Sequence, residues 1–213
     1  MHSELQDGVH AGENAGIGFP RLYDLLVFML THGREASYRE ALLDLADPRP
    51  GQRLLDIGSG TGTQAMAAWR RVQPGGAVVG VDISENMLAV AARKVRQARM
   101  DIPFHRADAA ELPFRDADFD IVTVTTVLHM LPPARRQLCL GEIRRVLRSG
   151  GSALLVDYAG ATGARAHMSA RHGPHGRFDL DTMREGLVRE GFTNIRSGAL
   201  DWLSLHYLSA RKA

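Results

Sequence analysis

Cysteine is nearly absent from this chain of 213 residues: Cys139 is the only one. A single thiol excludes an internal disulfide and any multi-cysteine metal site, and it fits a reducing, cytoplasmic setting. Long hydrophobic runs are missing too. The opening "MHSELQDGVHAGENAGIGFP" has no apolar core of the kind a targeting segment needs, and "LLVFML" (25–30) is far too short to cross a bilayer, so no stable membrane insertion is expected. Aromatic residues are scarce at 6%, and neither sign of charge dominates: the formal net charge is +2 with histidines neutral. That balance does not call for a nucleic-acid partner. The arginines of "RKVRQARM" (93–100) and "EIRRVLRSGG" (142–151) fall at helical spacings and read as solvated helix faces. No internal repeat or low-complexity tract is present.

What is present is enough apolar content, 45%, to bury one core in a chain of this length. Short β-type runs near 53–57, 77–82, 102–106, 119–125 and 152–157 alternate with helix-type segments, which predicts a parallel sheet with crossover helices. Ser84 stands where an N-cap belongs, and "LPPARRQLCLGEIRRVLRSGG" opens on prolines and closes on glycines, as a helix does. After residue 176 the rhythm changes. One helix over about 180–190 is followed by "TNIRSGALDWLSLHYLSARKA", which alternates like a hairpin, so the sheet should end antiparallel. The first twenty residues, rich in glycine and polar groups, read as a tail or a flap.

The stretch "LLDIGSGTGT" (54–63) places Gly58, Gly60 and Gly62 at every second position behind an apolar run containing Asp56. A strand that runs into a glycine-rich turn and then a helix brings backbone N–H groups against a nucleotide-like ligand. A dinucleotide site expects G-x-G-x-x-G, yet residue 63 is threonine. Asp56 would repel a pyrophosphate and suits a ligand carrying an ammonium and a sulfonium.

These residues resemble the class I S-adenosylmethionine-dependent methyltransferases, whose first motif, an acid, any residue and then Gly-x-Gly-x-Gly, is matched by Asp56 through Gly62. The likeness continues through "VVGVDIS" (78–84), "FHRADAAELPF" (104–114), "FDIVTVTTVLHML" (119–131) and "EIRRVLRSGGSALLVD" (142–157), and covers about residues 38–211. In general look the chain is similar to methyltransferases of quinone and phospholipid-headgroup pathways, including the ubiquinone/menaquinone C-methyltransferases. The resemblance implies an α/β, Rossmann-like fold: a seven-stranded, mostly parallel sheet with helices on both faces and an antiparallel C-terminal hairpin. It implies a helical cap or lid over residues 1–45 and a cofactor domain over 46–213. It implies S-adenosyl-L-methionine as cofactor and S-adenosyl-L-homocysteine as product, held by Asp56, Gly58, Ser59, Gly60, Gly62 and Thr125. Asp82 would take the ribose hydroxyls, Ile83 and Met87 would sandwich the adenine, and Asp108 with the Ala109 N–H would meet its edge.

A sulfonium methyl is already activated, so transfer is an in-line displacement that needs a base only when the acceptor carries a proton. Candidates for that role are His129 and Tyr23, with Asp157, Tyr158, His167, His172 and His175 behind them. The histidines of "HMSARHGPHGRF" (167–178) lack regular ligand spacing and sit among glycine and proline, so a surface loop and no metal is the reading. There is no Asn-Pro-Pro-Tyr/Phe motif and no Pro-Cys nucleophile. The acceptor is expected to be a small or lipid-like molecule, with specificity in residues 1–45 and 158–178, on a monomer or homodimer. Two other classes compete: an NAD-dependent oxidoreductase, with Asp82 at the distance that fingerprint expects, and a non-catalytic scaffold or sensor that keeps the cofactor pocket.

Overall fold

Strand β1 (Arg53–Ile57) buries Leu54, Leu55 and Ile57 almost completely. Successive side chains on a strand point to opposite faces, so a strand apolar on both belongs at the centre of a sheet with helices on either side. The computed structural model, which describes residues 34–158, 179–200 and 205–213, places it there. β1 pairs in parallel with β2 (Ala77–Asp82) and β4 (Phe119–Thr125). Beyond these lie β3 (Phe104–Arg106) and β5 (Leu147–Tyr158), also parallel to their neighbours. β7 (Leu205–Lys212) runs antiparallel to both β5 and β6 (Phe192–Ala199), which completes seven strands in the order β3-β2-β1-β4-β5-β7-β6.

The alternation sorts the core into two layers. Leu54, Val78, Ile121 and Leu154 face Tyr38 and Leu42 of α1 (Glu35–Ala46), Ala65 and Ala68 of α2 (Thr63–Val72), and Val95 of α3 (Glu85–Ala98). Leu55, Ile57, Val122 and Val124 face Cys139, Leu140 and Ile143 of α4 (Pro133–Val146), and Met183 and Leu187 of α5 (Leu180–Arg189). Each such leucine or valine contributes about 1.5–3 kcal/mol by leaving water. Local chemistry fixes the helix starts: the Ser84 hydroxyl accepts from the Met87 N–H at 3.4 Å, and the Asp179 carboxylate accepts from the Thr182 N–H at 3.1 Å. Pro133 sits in the first turn of α4, where no N–H is needed.

Two boundaries differ from the sequence reading. β5 begins at Leu147, directly after α4, so the arginine-rich run ends a helix and starts a strand. Gly150 and Gly151 therefore do not close the helix. Phe119 pairs with Leu147 and Ile121 with Ser152, so residues 148–151 form an excursion in which Gly150 takes φ +76°. β3 is shorter than expected because Pro103 offers no N–H to the ladder, although its carbonyl accepts from Gly80 at 3.0 Å. Tyr38, Leu42 and Leu43 of α1 are at most 3% exposed and pack into the sheet's own core.

Candidate functional site

The carboxyl ends of β1, β2, β4 and β5 bring Asp56, Asp82, Thr125 and Asp157 to one edge of the sheet. Open α/β sheets bind ligands in the crevice at that edge. The turn after β1 is shaped by what surrounds it. Gly58 has φ +69°, and a Cβ there would lie 2.0 Å from Cγ2 of Val127; Gly62 has φ +79°, and its Cβ would press on Ala91 and Phe104 at 2.9 Å. Both positions require glycine for chain packing alone.

The expectation that this turn aims its amides at a ligand is corrected by the structure. The N–H groups of Gly58 and Ser59 both donate to the Val81 carbonyl, at 2.8 and 2.9 Å, and Gly62 donates to the Ser59 carbonyl at 2.9 Å. Gly60 donates to Oδ2 of Asp82 at 2.8 Å, while Ser84 donates to Oδ1 at 2.9 Å. The end of β2 thus takes these donors for itself. Asp82 stays a candidate acceptor, because each carboxylate oxygen has a second lone pair. Its pKa is raised by burial, against the backbone N–H donors that favour the charged form. Lys94 of α3 ties the far side of the turn, reaching Oγ1 of Thr61 at 3.0 Å and of Thr63 at 3.2 Å.

Asp56 is 2% exposed. Its Oδ1 accepts from the Thr123 hydroxyl at 2.8 Å, and its Oδ2 has no partner among the described residues. Burial pushes its pKa up from 3.8 to about 6, against the Thr123 hydrogen bond and the positive charge of Arg39. Asp56 lines a cavity together with Arg39, Ser59, Gln64, Thr125 and Thr126. Within that set Nε of Arg39, Oγ of Ser59 and Oε1 of Gln64 are also buried without a hydrogen-bond partner among the described residues. Buried polar groups are nearly always satisfied, so four unsatisfied ones lining one cavity of about 20 Å³ leave room there for a water-sized polar group. Thr126 adds a β-branched residue at φ +55°, held by its N–H to the Val156 carbonyl at 2.7 Å.

Farther along the edge, Asp108 accepts from the Ala110 N–H at 2.8 Å and is ion-paired with Arg135. Ile83 is 54% exposed, whereas Met87 is only 5% exposed, so of the pair expected to sandwich a ring Ile83 is the open one. Ala109 packs against the apolar core. The loop carrying these residues is fastened by Arg145, which donates to the Leu112 and Phe114 carbonyls at 2.9 and 2.7 Å and pairs with Glu142.

His129 lies in a 3₁₀ turn, Leu128–Met130, after β4. Its Nδ1 is 2.7 Å from Oδ1 of Asp157 and its N–H donates to Oδ2 at 3.0 Å. The sequence reading named both residues but not their pairing. Tyr158 packs edge-on against the His129 ring. Arg39 and Gln64 were missed entirely: they lie outside the glycine motif, and only the fold brings α1 over it. Tyr23, His167, His172, His175 and the expected flap over residues 1–20 lie outside the described residues. Cys139 is buried, its thiol pushed up to about 12, which leaves it inert. Among the described residues no cluster of metal-ligating side chains occurs, and no helix is long and apolar enough to cross a membrane.

A doubly wound sheet with acids at the ends of β1 and β2 and a glycine turn between strand and helix defines a Rossmann-like nucleotide-binding domain. Comparison with known proteins carries this further. Residues 54–151 match the methyltransferase domain family. The demethylmenaquinone methyltransferase of Thermus thermophilus is 38% identical over 136 residues, 64% of this chain and 60% of that protein. The ubiquinone/menaquinone biosynthesis C-methyltransferase UbiE of Cupriavidus metallidurans is 30% identical over 158 residues, 73% of this chain and 64% of that protein. In fold, phosphoethanolamine N-methyltransferase 2 of Haemonchus contortus, solved in complex with S-adenosyl-L-methionine, superposes with a TM-score of 0.71 at 22% identity, over 83% of this chain and 52% of that one. Over residues 54–151 the chain is similar to methyltransferases, and its fold is that of the Rossmann-like S-adenosylmethionine-dependent enzymes. The chain spans less than two thirds of the length of the two curated relatives.

Proposed function

We propose that this protein transfers a methyl group from S-adenosyl-L-methionine to a small, quinone-type aromatic acceptor, releasing S-adenosyl-L-homocysteine. The observation that carries the reading is the set of four unsatisfied polar atoms around Asp56, which fits the amino-acid end of that cofactor. An ammonium would satisfy Asp56 Oδ2 and Gln64 Oε1, and a carboxylate would satisfy the Arg39 guanidinium. Gly58, Ser59, Gly60, Gly62 and Thr125 would line the same end. Asp82 would accept from the ribose hydroxyls through its remaining lone pairs, and Ile83, Met87, Asp108 and Ala109 would hold the adenine. When bound, the cofactor supplies a methyl already activated on a sulfonium. His129, and Tyr23 as an alternative, would serve the acceptor side.

The quinone-type acceptor is taken from the names of the relatives, and a lipid-like tail on it is compatible with them. Residues 46–213 would form the cofactor domain, with residues 1–45 as its cap; the presence of Arg39 beside Asp56 supports a contribution from that cap. The NAD-dependent and scaffold alternatives gain nothing from the relatives, which are methyltransferases by name. Calorimetric titration with S-adenosylmethionine, S-adenosylhomocysteine and NAD in parallel tests the reading. Micromolar binding of the two sulfur nucleotides alone is expected, weakened about 30- to 100-fold in Asp82→Ala by loss of charge-assisted hydrogen bonds. Binding of NAD alone would overturn it.

A further inference from the structure

We infer that Asp157 is a positioning residue that holds His129 as general base for an acceptor whose ring bears a weakly acidic hydroxyl, such as a hydroquinone or naphthol. The inference rests on the methyltransferase reading and assigns the acceptor side of the same site.

Asp157 is completely buried, yet its carboxylate is met by three N–H groups: the backbone of His129 at 3.0 Å, the backbone of Tyr158 at 2.8 Å, and Nδ1 of His129 at 2.7 Å. A carboxylate has no hydrogen to give, so Nδ1 carries the proton. In the neutral ring Nε2 is then the basic nitrogen. It makes no hydrogen bond among the described residues. One acid holds both the main chain and the ring of His129, which fixes the ring's direction as well as its tautomer. The turn beneath is clamped by Arg136 of α4, 9% exposed, whose Nε donates to the Leu128 carbonyl at 2.7 Å. Among the described residues, Asp157 and Tyr158 of β5 contact the ring, Arg136 of α4 reaches the His129 carbonyl, and His206 of β7 is paired with Asp157 across the sheet.

A histidine that only fills space has no need of a buried charge, because burying a carboxylate is costly unless it is fully bonded. Here the geometry leaves Nε2 as the ring's open acceptor, with Asp157 bonded to the opposite nitrogen. Such a base is useful only to an acceptor that must lose a proton to become nucleophilic. In the step, the acceptor O–H proton goes to Nε2 and its electron pair is delocalised to the ring carbon. That pair forms the new bond to the methyl carbon, and the pair of the breaking C–S bond stays on sulfur as a neutral thioether. The ring carbon then loses its own hydrogen as a proton to restore the aromatic system, the acceptor oxygen takes back the proton held on Nε2, and one net proton leaves to solvent.

The test uses the full chain, a series of substituted hydroquinones and naphthols of graded acidity, and the variants His129→Gln and Asp157→Asn. Each variant is expected to lower kcat about 10²- to 10⁴-fold on the least acidic acceptor. The deficit should shrink at least tenfold across the series, while S-adenosylhomocysteine affinity stays within twofold. Independently of turnover, ¹⁵N-histidine spectra of the ligand-free wild type should show His129 protonated at Nδ1, and Asp157→Asn should move that proton to Nε2. A deficit equal for all acceptors, or a wild-type ring protonated at Nε2, overturns the inference. Should Asp157→Asn fail to fold, His129→Gln and the wild-type spectrum decide it. Failure of the wild type to bind S-adenosylhomocysteine would instead overturn the methyltransferase reading.

Discussion

Replacing Asp56 by asparagine should stabilise the ligand-free protein while harming its binding. Below pH 3.8 the carboxyl group is protonated in both the folded and the unfolded chain, so it adds no pH dependence there. Between 3.8 and about 6 the unfolded chain releases the proton freely and the folded chain does not, so stability is lost as pH rises through that window. At about 1.4 kcal/mol for each pKa unit, the rise from 3.8 to about 6 costs about 3 kcal/mol once the group is ionised. Asparagine keeps an acceptor for the Thr123 hydroxyl and escapes the ionisation cost. Urea unfolding followed by circular dichroism at pH 4, 5, 6 and 8 should find the two proteins close at pH 4, and the variant ahead by up to about 3 kcal/mol at pH 8. Titration at pH 8 should show the variant binding S-adenosylhomocysteine more weakly, having lost the charge that meets the ammonium. A stability difference that stays flat from pH 4 to 8, or a wild type that is the more stable at pH 8, would refute the reasoning.

Two further outcomes are expected. Gly58→Ala should destabilise by about 2–3 kcal/mol, because its Cβ meets Val127 at 2.0 Å in a backbone conformation with φ +69°. Adding Val127→Ala should return part of that loss in thermal denaturation, and no recovery would mean the contact is not the cause. Arg135→Ala frees Asp108 from its ion pair and should tighten S-adenosylhomocysteine binding severalfold by calorimetry; weaker binding would show that Arg135 itself helps hold the ligand.

Most of the sheet was legible because its strands are short, apolar and regularly spaced: β1, β2 and β4 fall where the sequence placed them. The start of β5 was not, since "RRVLRSGG" carries helical arginine spacing up to the residue where the chain turns into the sheet, and only pairing with Phe119 sets the boundary. The acids of the site were readable as strand-end residues, Asp56 and Asp82 above all. Their partners were not. Arg39 reaches Asp56 from α1, and His129 reaches Asp157 across 28 residues of chain, contacts that depend on which strands lie side by side. The role given to the loop amides failed for the same reason: whether an N–H faces a ligand or the next strand depends on the neighbour, and here the neighbour is β2.

The commitment of those amides has a thermodynamic consequence. A turn whose N–H groups are already bonded to Val81, Ser59 and Asp82 has little conformational freedom left to lose when a ligand arrives. Association at this end of the crevice therefore meets a preorganised wall, and the ordering entropy of binding falls on the ligand and on whatever covers it.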